Sequence, residues 1–76
     1  MRIMVDLFGF LADYRPEGRR AFPLEIDCGA TAGRLIERLA LPEVWLMVLV
    51  NGQRVDTGSL LNDGDEVFIF TPAEGG

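Results

Sequence analysis

Few residues in this chain have the type or spacing for chemistry. Its 76 residues contain no histidine, no lysine and one cysteine. Cys28 has no histidine to act as its base, so it reads as a structural or loop thiol rather than a nucleophile. The acidic run Asp63-Gly64-Asp65-Glu66 has calcium-like content without the spacing of an EF-hand loop, and reads as a turn. No Gly-rich phosphate loop, catalytic triad or metal-ligand cluster occurs. What remains is the final stretch, Thr71-Pro72-Ala73-Glu74-Gly75-Gly76. Pro72 cannot donate to a sheet ladder, so strand pairing should stop there and residues 72–76 should leave the domain as an extended arm. Six residues at ~3.3 to 3.6 Å each reach roughly 20 Å, far enough to enter a partner's pocket. Gly75 and Gly76 have no Cβ and pass where any side chain would block the way. The main-chain carboxylate of Gly76 is ionised at neutral pH and resists nucleophiles, so it becomes reactive only after activation. The competing reading of the same residues is a frayed chain end.

Composition limits what can stand behind that arm. A chain of this length forms one small domain, burying about 60% of the surface its unfolded form exposes. With 49% apolar residues it has material for a single core, but not for a core plus a deep private active site. A non-catalytic role is therefore expected. The formal net charge of −5 argues against nucleic acid and favours a basic protein partner. No stretch is long and apolar enough for a membrane span, and no secretory leader pattern is visible, so a soluble cytoplasmic protein is expected. All seven basic residues are arginines, read first as a compositional bias. One consequence follows: the sequence offers no lysine side chain to accept an isopeptide bond.

The elements that must hold the arm follow from periodicity. Arg2 to Phe8 alternates, with Ile3, Val5 and Leu7 on one face and Arg2, Met4, Asp6 and Phe8 on the other, giving a first strand. Gly9 to Arg20 reads as an irregular polar connection with a short helical turn over Phe10 to Tyr14. Ala21 to Ile26 predicts a second strand, with Phe22, Leu24 and Ile26 inward and Pro23 marking an edge or bulge. Thr31 is the expected N-cap of a helix from Ala32 to about Ala40, burying Ala32, Leu35, Ile36 and Leu39, with Pro42 preventing continuation. Gly33 should weaken that helix by about 1 kcal/mol relative to alanine. The apolar run Trp45 to Val50 predicts a central strand, Asn51-Gly52 a tight turn, and Gln53 to Val55 a short strand. Leu60-Leu61 is expected to plug the core, and the turn at Asn62 to Asp65 to deliver a last strand, Glu66 to Phe70. This order is that of an α+β β-grasp fold: a mixed sheet of four to five strands, one main helix on one face, a domain over residues 1–71, and the tail 72–76.

Several stretches together resemble the MoaD/ThiS family of ubiquitin-like sulfur carriers: Leu61-Asn62-Asp63-Gly64-Asp65-Glu66-Val67, Thr71-Pro72, the closing Gly75-Gly76, Val50-Asn51-Gly52, Leu7-Phe8-Gly9 and Gly29-Ala30-Thr31. Thr71-Pro72 stands where many members have Pro-Pro, and Glu74 adds a negative charge behind the glycines. The resemblance implies that an E1-like enzyme uses ATP to adenylate Gly76. A sulfur donor, a cysteine desulfurase or rhodanese-like protein, then converts it to a covalent 1-thioglycine, with no cofactor bound by the chain itself. The segment from Phe8 to Gly18 is more similar to the molybdopterin synthase small subunit than to the thiamine carriers, implying the catalytic large subunit as partner and molybdenum cofactor biosynthesis as the pathway. A carrier for thiamine or another sulfur metabolite, and a ubiquitin-like protein modifier, share the same tail and stay open.

Strand alternation yields a second expectation independent of the resemblance. If Ile3, Val5, Val48, Val50, Val67 and Ile69 face the helix, then Met4, Phe8, Met47, Leu49, Phe68 and Phe70 lie on the opposite face with nothing in the chain to cover them. Such a face, with Pro72 at its margin, is the expected docking surface for the activating enzyme and the large subunit. A homodimer through the same face is the alternative.

Overall fold

The computed structural model describes residues 1–42 and 44–72. Five strands form one sheet: β1 (Arg2–Leu7), β2 (Ala21–Glu25), β3 (Met47–Val50), β4 (Gln53–Val55) and β5 (Glu66–Phe70), with one helix, α1 (Ala32–Arg38), between β2 and β3. The spatial order is β2-β1-β5-β3-β4. The first and last strands run parallel at the centre, while β1 with β2, β3 with β5 and β3 with β4 are antiparallel. This is the β-grasp arrangement that the element order predicts. Among the described residues no helix is long and apolar enough to cross a membrane.

The inward positions of β1 and β5 build the core. Ile3, Val5, Leu7, Val67 and Ile69 are buried and cluster with Val48 of β3 and with Ala32 and Leu35 of α1. Pro23 sits on edge strand β2 opposite Met4, where its missing N–H is tolerated. Asn51 at φ 52° and Gly52 at φ 85° close the β3–β4 hairpin in two residues, the conformation that an Asn-Gly pair favours.

Both ends of α1 have local causes. At the start, Thr31 Oγ1 accepts a hydrogen bond from the Arg34 N–H at 3.2 Å. The helix is shorter than its apolar stripe predicts, because Leu39 caps it and Ala40 turns left-handed at φ 54°. The Leu41 N–H then reaches Ile36 O and the Ala40 N–H reaches Glu37 O, a Schellman closure with alanine where glycine is usual. The helix has already ended before Pro42. Gly33 has a packing role that its propensity conceals: its N–H donates to Thr57 O at 2.8 Å, and a Cβ there would lie 3.2 Å from that same oxygen.

Three sequence expectations need correction. The β3 strand begins at Met47, and Trp45 lies outside it with its ring exposed; β3 is an interior strand, but β5 is the central one. Only Leu61 plugs the core, since Leu60 sits in an extended bridge to Thr31 and alternation turns it to solvent. The connection after β1 is not merely polar. A 3-10 turn over Gly9–Tyr14 fully buries Leu11, and the Arg15 guanidinium ties it down by donating to Leu7 O at 2.9 and 2.7 Å.

Candidate functional site

The direction in which the chain leaves the sheet is set at the start of β5. Asp65, buried, accepts hydrogen bonds from Asn51 Nδ2 at 2.9 Å and from the Asn62 N–H at 2.8 Å. Asn51 completes the link, its Oδ1 accepting from the Glu66 N–H at 2.9 Å. On the other side Asp63 Oδ1 accepts from the Arg2 N–H at 2.7 Å, and the Gly64 N–H donates to Arg2 O at 2.8 Å. The turn is thus a clasp joining β1, β5 and the β3–β4 hairpin. Sequence alone identifies the turn; the pairing of Asn51 with Asp65, fourteen positions apart, has no sequence signal.

From that clasp β5 runs to Phe70 and delivers Thr71 and Pro72. Gly75 and Gly76, the predicted reactive end, lie with Ala73 and Glu74 outside the described residues. The predicted docking residues come together. Met47 pairs with Phe70 and Leu49 with Phe68 across β3 and β5, so their side chains share a face. The Phe8 and Phe68 rings are 4.5 Å apart. None of Met4, Phe8, Met47, Leu49, Phe68 and Phe70 belongs to the core or packs against it. Met4 is the most exposed of them, and the other five are half-buried.

The expectation that nothing covers this face is too strong. The Arg20 guanidinium stands 3.9 Å from the centre of the Phe8 ring and pairs with Asp6 Oδ1 at 3.3 Å, so a cation lies over the face at Phe8. Pro72, half-buried, borders an apolar groove of about 630 Å³ formed with Phe8, Gly9, Phe10, Phe70 and Thr71. The face therefore continues into the root of the tail.

The ThiS family profile matches residues 5–76. The chain belongs to the ThiS family. No curated protein matches this ThiS-family chain in sequence, but solved structures do in shape. SAMP1 from Haloferax volcanii is 25% identical, with each chain covered over 100% of its length and a TM-score of 0.77. A putative molybdopterin converting factor subunit 1 from Pyrococcus furiosus is 24% identical, covering 95% of this chain and 98% of the other, with a TM-score of 0.76. A chain of the protein-protein complex of subunits 1 and 2 of molybdopterin-converting factor from Helicobacter pylori is 22% identical, with 100% coverage of both chains and a TM-score of 0.66.

The ThiS-family chain accordingly has the fold of a small ubiquitin-like sulfur carrier, a non-catalytic class of protein. In its fold Cys28 is an exposed loop thiol between β2 and α1. Phe10, Val44 and Trp45 are exposed large apolar residues that lie in connections, where periodicity gives no face to assign.

Proposed function

We propose that this protein is a sulfur carrier for molybdopterin synthesis, with Gly76 as the loading point. A Gly76 carboxylate oxygen attacks the α-phosphorus of ATP within an E1-like enzyme, pyrophosphate leaves, and the carbonyl carbon now bears AMP as a good leaving group. The outer sulfur of a cysteine persulfide on a donor of the cysteine desulfurase or rhodanese-like class attacks that carbonyl and expels AMP. A thiol then cleaves the S–S bond of the resulting acyl disulfide, becoming disulfide-bonded to the donor cysteine and leaving Gly76 as a thiocarboxylate. The chain contributes no acid or base. It supplies a narrow Gly75-Gly76 tip, a clasped β5 that aims it, and an apolar face that docks the enzyme and then the large subunit of molybdopterin synthase.

The observation that carries this reading is the continuity of the apolar sheet face with the tail root at Phe70, Thr71 and Pro72 in a ThiS-family chain. The likeness to a putative molybdopterin converting factor subunit 1, and to a chain of a molybdopterin-converting factor complex, favours that pathway over thiamine. A second reading, a protein modifier, is favoured by the likeness to a small archaeal modifier protein. Mass spectrometry after incubation with ATP, the adenylating enzyme and a sulfur donor separates them. Exchange of one oxygen for sulfur on this chain marks a carrier, whereas its attachment to lysines of other proteins marks a modifier. Copurification with a pterin-handling large subunit rather than a thiazole synthase decides the pathway.

A further inference from the structure

Three bulky apolar side chains stand apart from both the core and the sheet face: Phe10 is 75% exposed, Trp45 69% and Val44 52%. Single exposed hydrophobics are ordinary on a protein surface. These three come from two separate connections, the 3-10 turn after β1 and the segment between α1 and β3, and they converge. With Pro42, Thr71 and Pro72 they line an apolar groove of about 220 Å³ with Leu11 at its base. Phe10 is shared with the larger groove that contains Phe8 and Phe70. Apolar surface therefore runs from the sheet face, over Phe10, to Trp45, and passes on both sides of the residues where the tail departs.

We propose that Phe10 and Trp45 form a collar around the tail root that is gripped by the ATP-dependent adenylating enzyme while the tail is threaded into its active site. The proposal rests on the carrier reading above. Tail length selects this occupant: the four residues after Pro72 span at most about 14 Å, so an enzyme acting on the Gly76 carboxylate must bring its own surface against Thr71, Pro72 and the grooves beside them. Charge describes its chemistry. Asp13 on the 3-10 turn is exposed and makes no ion pair among the described residues, and the whole chain carries a formal net charge of −5. The matching surface is an apolar pocket rimmed by lysine or arginine. Aromatic anchors in such a pocket carry a large share of binding energy.

Trp45 is the only tryptophan, so fluorotryptophan labelling of the full chain gives a single fluorine resonance at the collar. Addition of the same organism's adenylating enzyme with ATP is expected to shift that resonance and shield it from a soluble paramagnetic agent. Phe10→Ser and Trp45→Ser are each expected to raise the KM for the carrier in adenylation about tenfold, the scale of losing an aromatic anchor, with kcat unchanged and thermal midpoints near wild type. KM values within twofold of wild type, or a resonance unmoved in the saturated complex, would overturn the collar while leaving the carrier reading intact. A resonance that moves with the chain's own concentration, and not with the enzyme, would also overturn it and assign the collar to a second copy. If the wild-type chain itself is not adenylated, the carrier reading falls and the collar's occupant falls with it.

Discussion

At the scale of single residues, Asp65 carries more of the architecture than its place in a polar turn suggests. Truncating it to alanine leaves Asn51 Nδ2 and the Asn62 N–H without their acceptor, a loss of about 1 to 3 kcal/mol. Urea titration of Asp65→Ala should show that loss as a lower midpoint at unchanged slope. Ala40 offers the opposite test. Its φ of 54° is left-handed, a region that costs a residue with a Cβ roughly 1 to 2 kcal/mol. Ala40→Gly should therefore raise the thermal midpoint, by about 4 to 8 °C per kcal/mol gained in a domain of this size. Phe68 lies on the apolar sheet face rather than in the core. Phe68→Glu sacrifices the ring contact with Phe8 at 4.5 Å, worth about 0.5 to 1.5 kcal/mol beyond area burial. The domain should stay folded while the carboxylate, set into the face proposed to dock the enzyme, abolishes adenylation. Adenylation at the wild-type rate would remove that face from the docking account.

At the scale of elements, what was legible in the sequence is what local periodicity encodes. The alternation of Ile3, Val5 and Leu7, the Thr31 cap, the Asn51-Gly52 hairpin and the two-faced division of β5 were all readable, because each depends on neighbours in sequence. The buried Leu11 was not, since its segment looks polar and its burial depends on Arg15 reaching back to Leu7 O. The run Trp45 to Val50 misled for a related reason. An apolar run has no period, so it does not distinguish a strand residue such as Val48 from a surface aromatic such as Trp45. The Schellman closure at Ala40 was likewise hidden, because alanine is a helix former and gives no stop signal. Leu11→Ala should be among the most damaging single changes, at about 2 to 5 kcal/mol. That is a large part of the roughly 4 to 11 kcal/mol expected for a domain of this length, and hydrogen exchange should show the Gly9–Tyr14 turn opening first.

At the scale of the whole molecule, the apolar sheet face is continuous with Thr71 and Pro72, where the chain leaves β5. Net charge governs how a partner arrives. With a formal charge of −5, association with a basic adenylating enzyme should be steered electrostatically, so its rate should fall about tenfold or more between low and high salt while dissociation changes little. The proposed function requires the Gly76 carboxylate to be the group that is loaded. Top-down mass spectrometry of the chain, recovered after reaction with ATP, the adenylating enzyme and a sulfur donor, tests this most directly. One oxygen replaced by sulfur is expected, with the mass change confined to Gly76. Sulfur found instead on Cys28, or an unaltered Gly76 in the presence of an active enzyme, would contradict it.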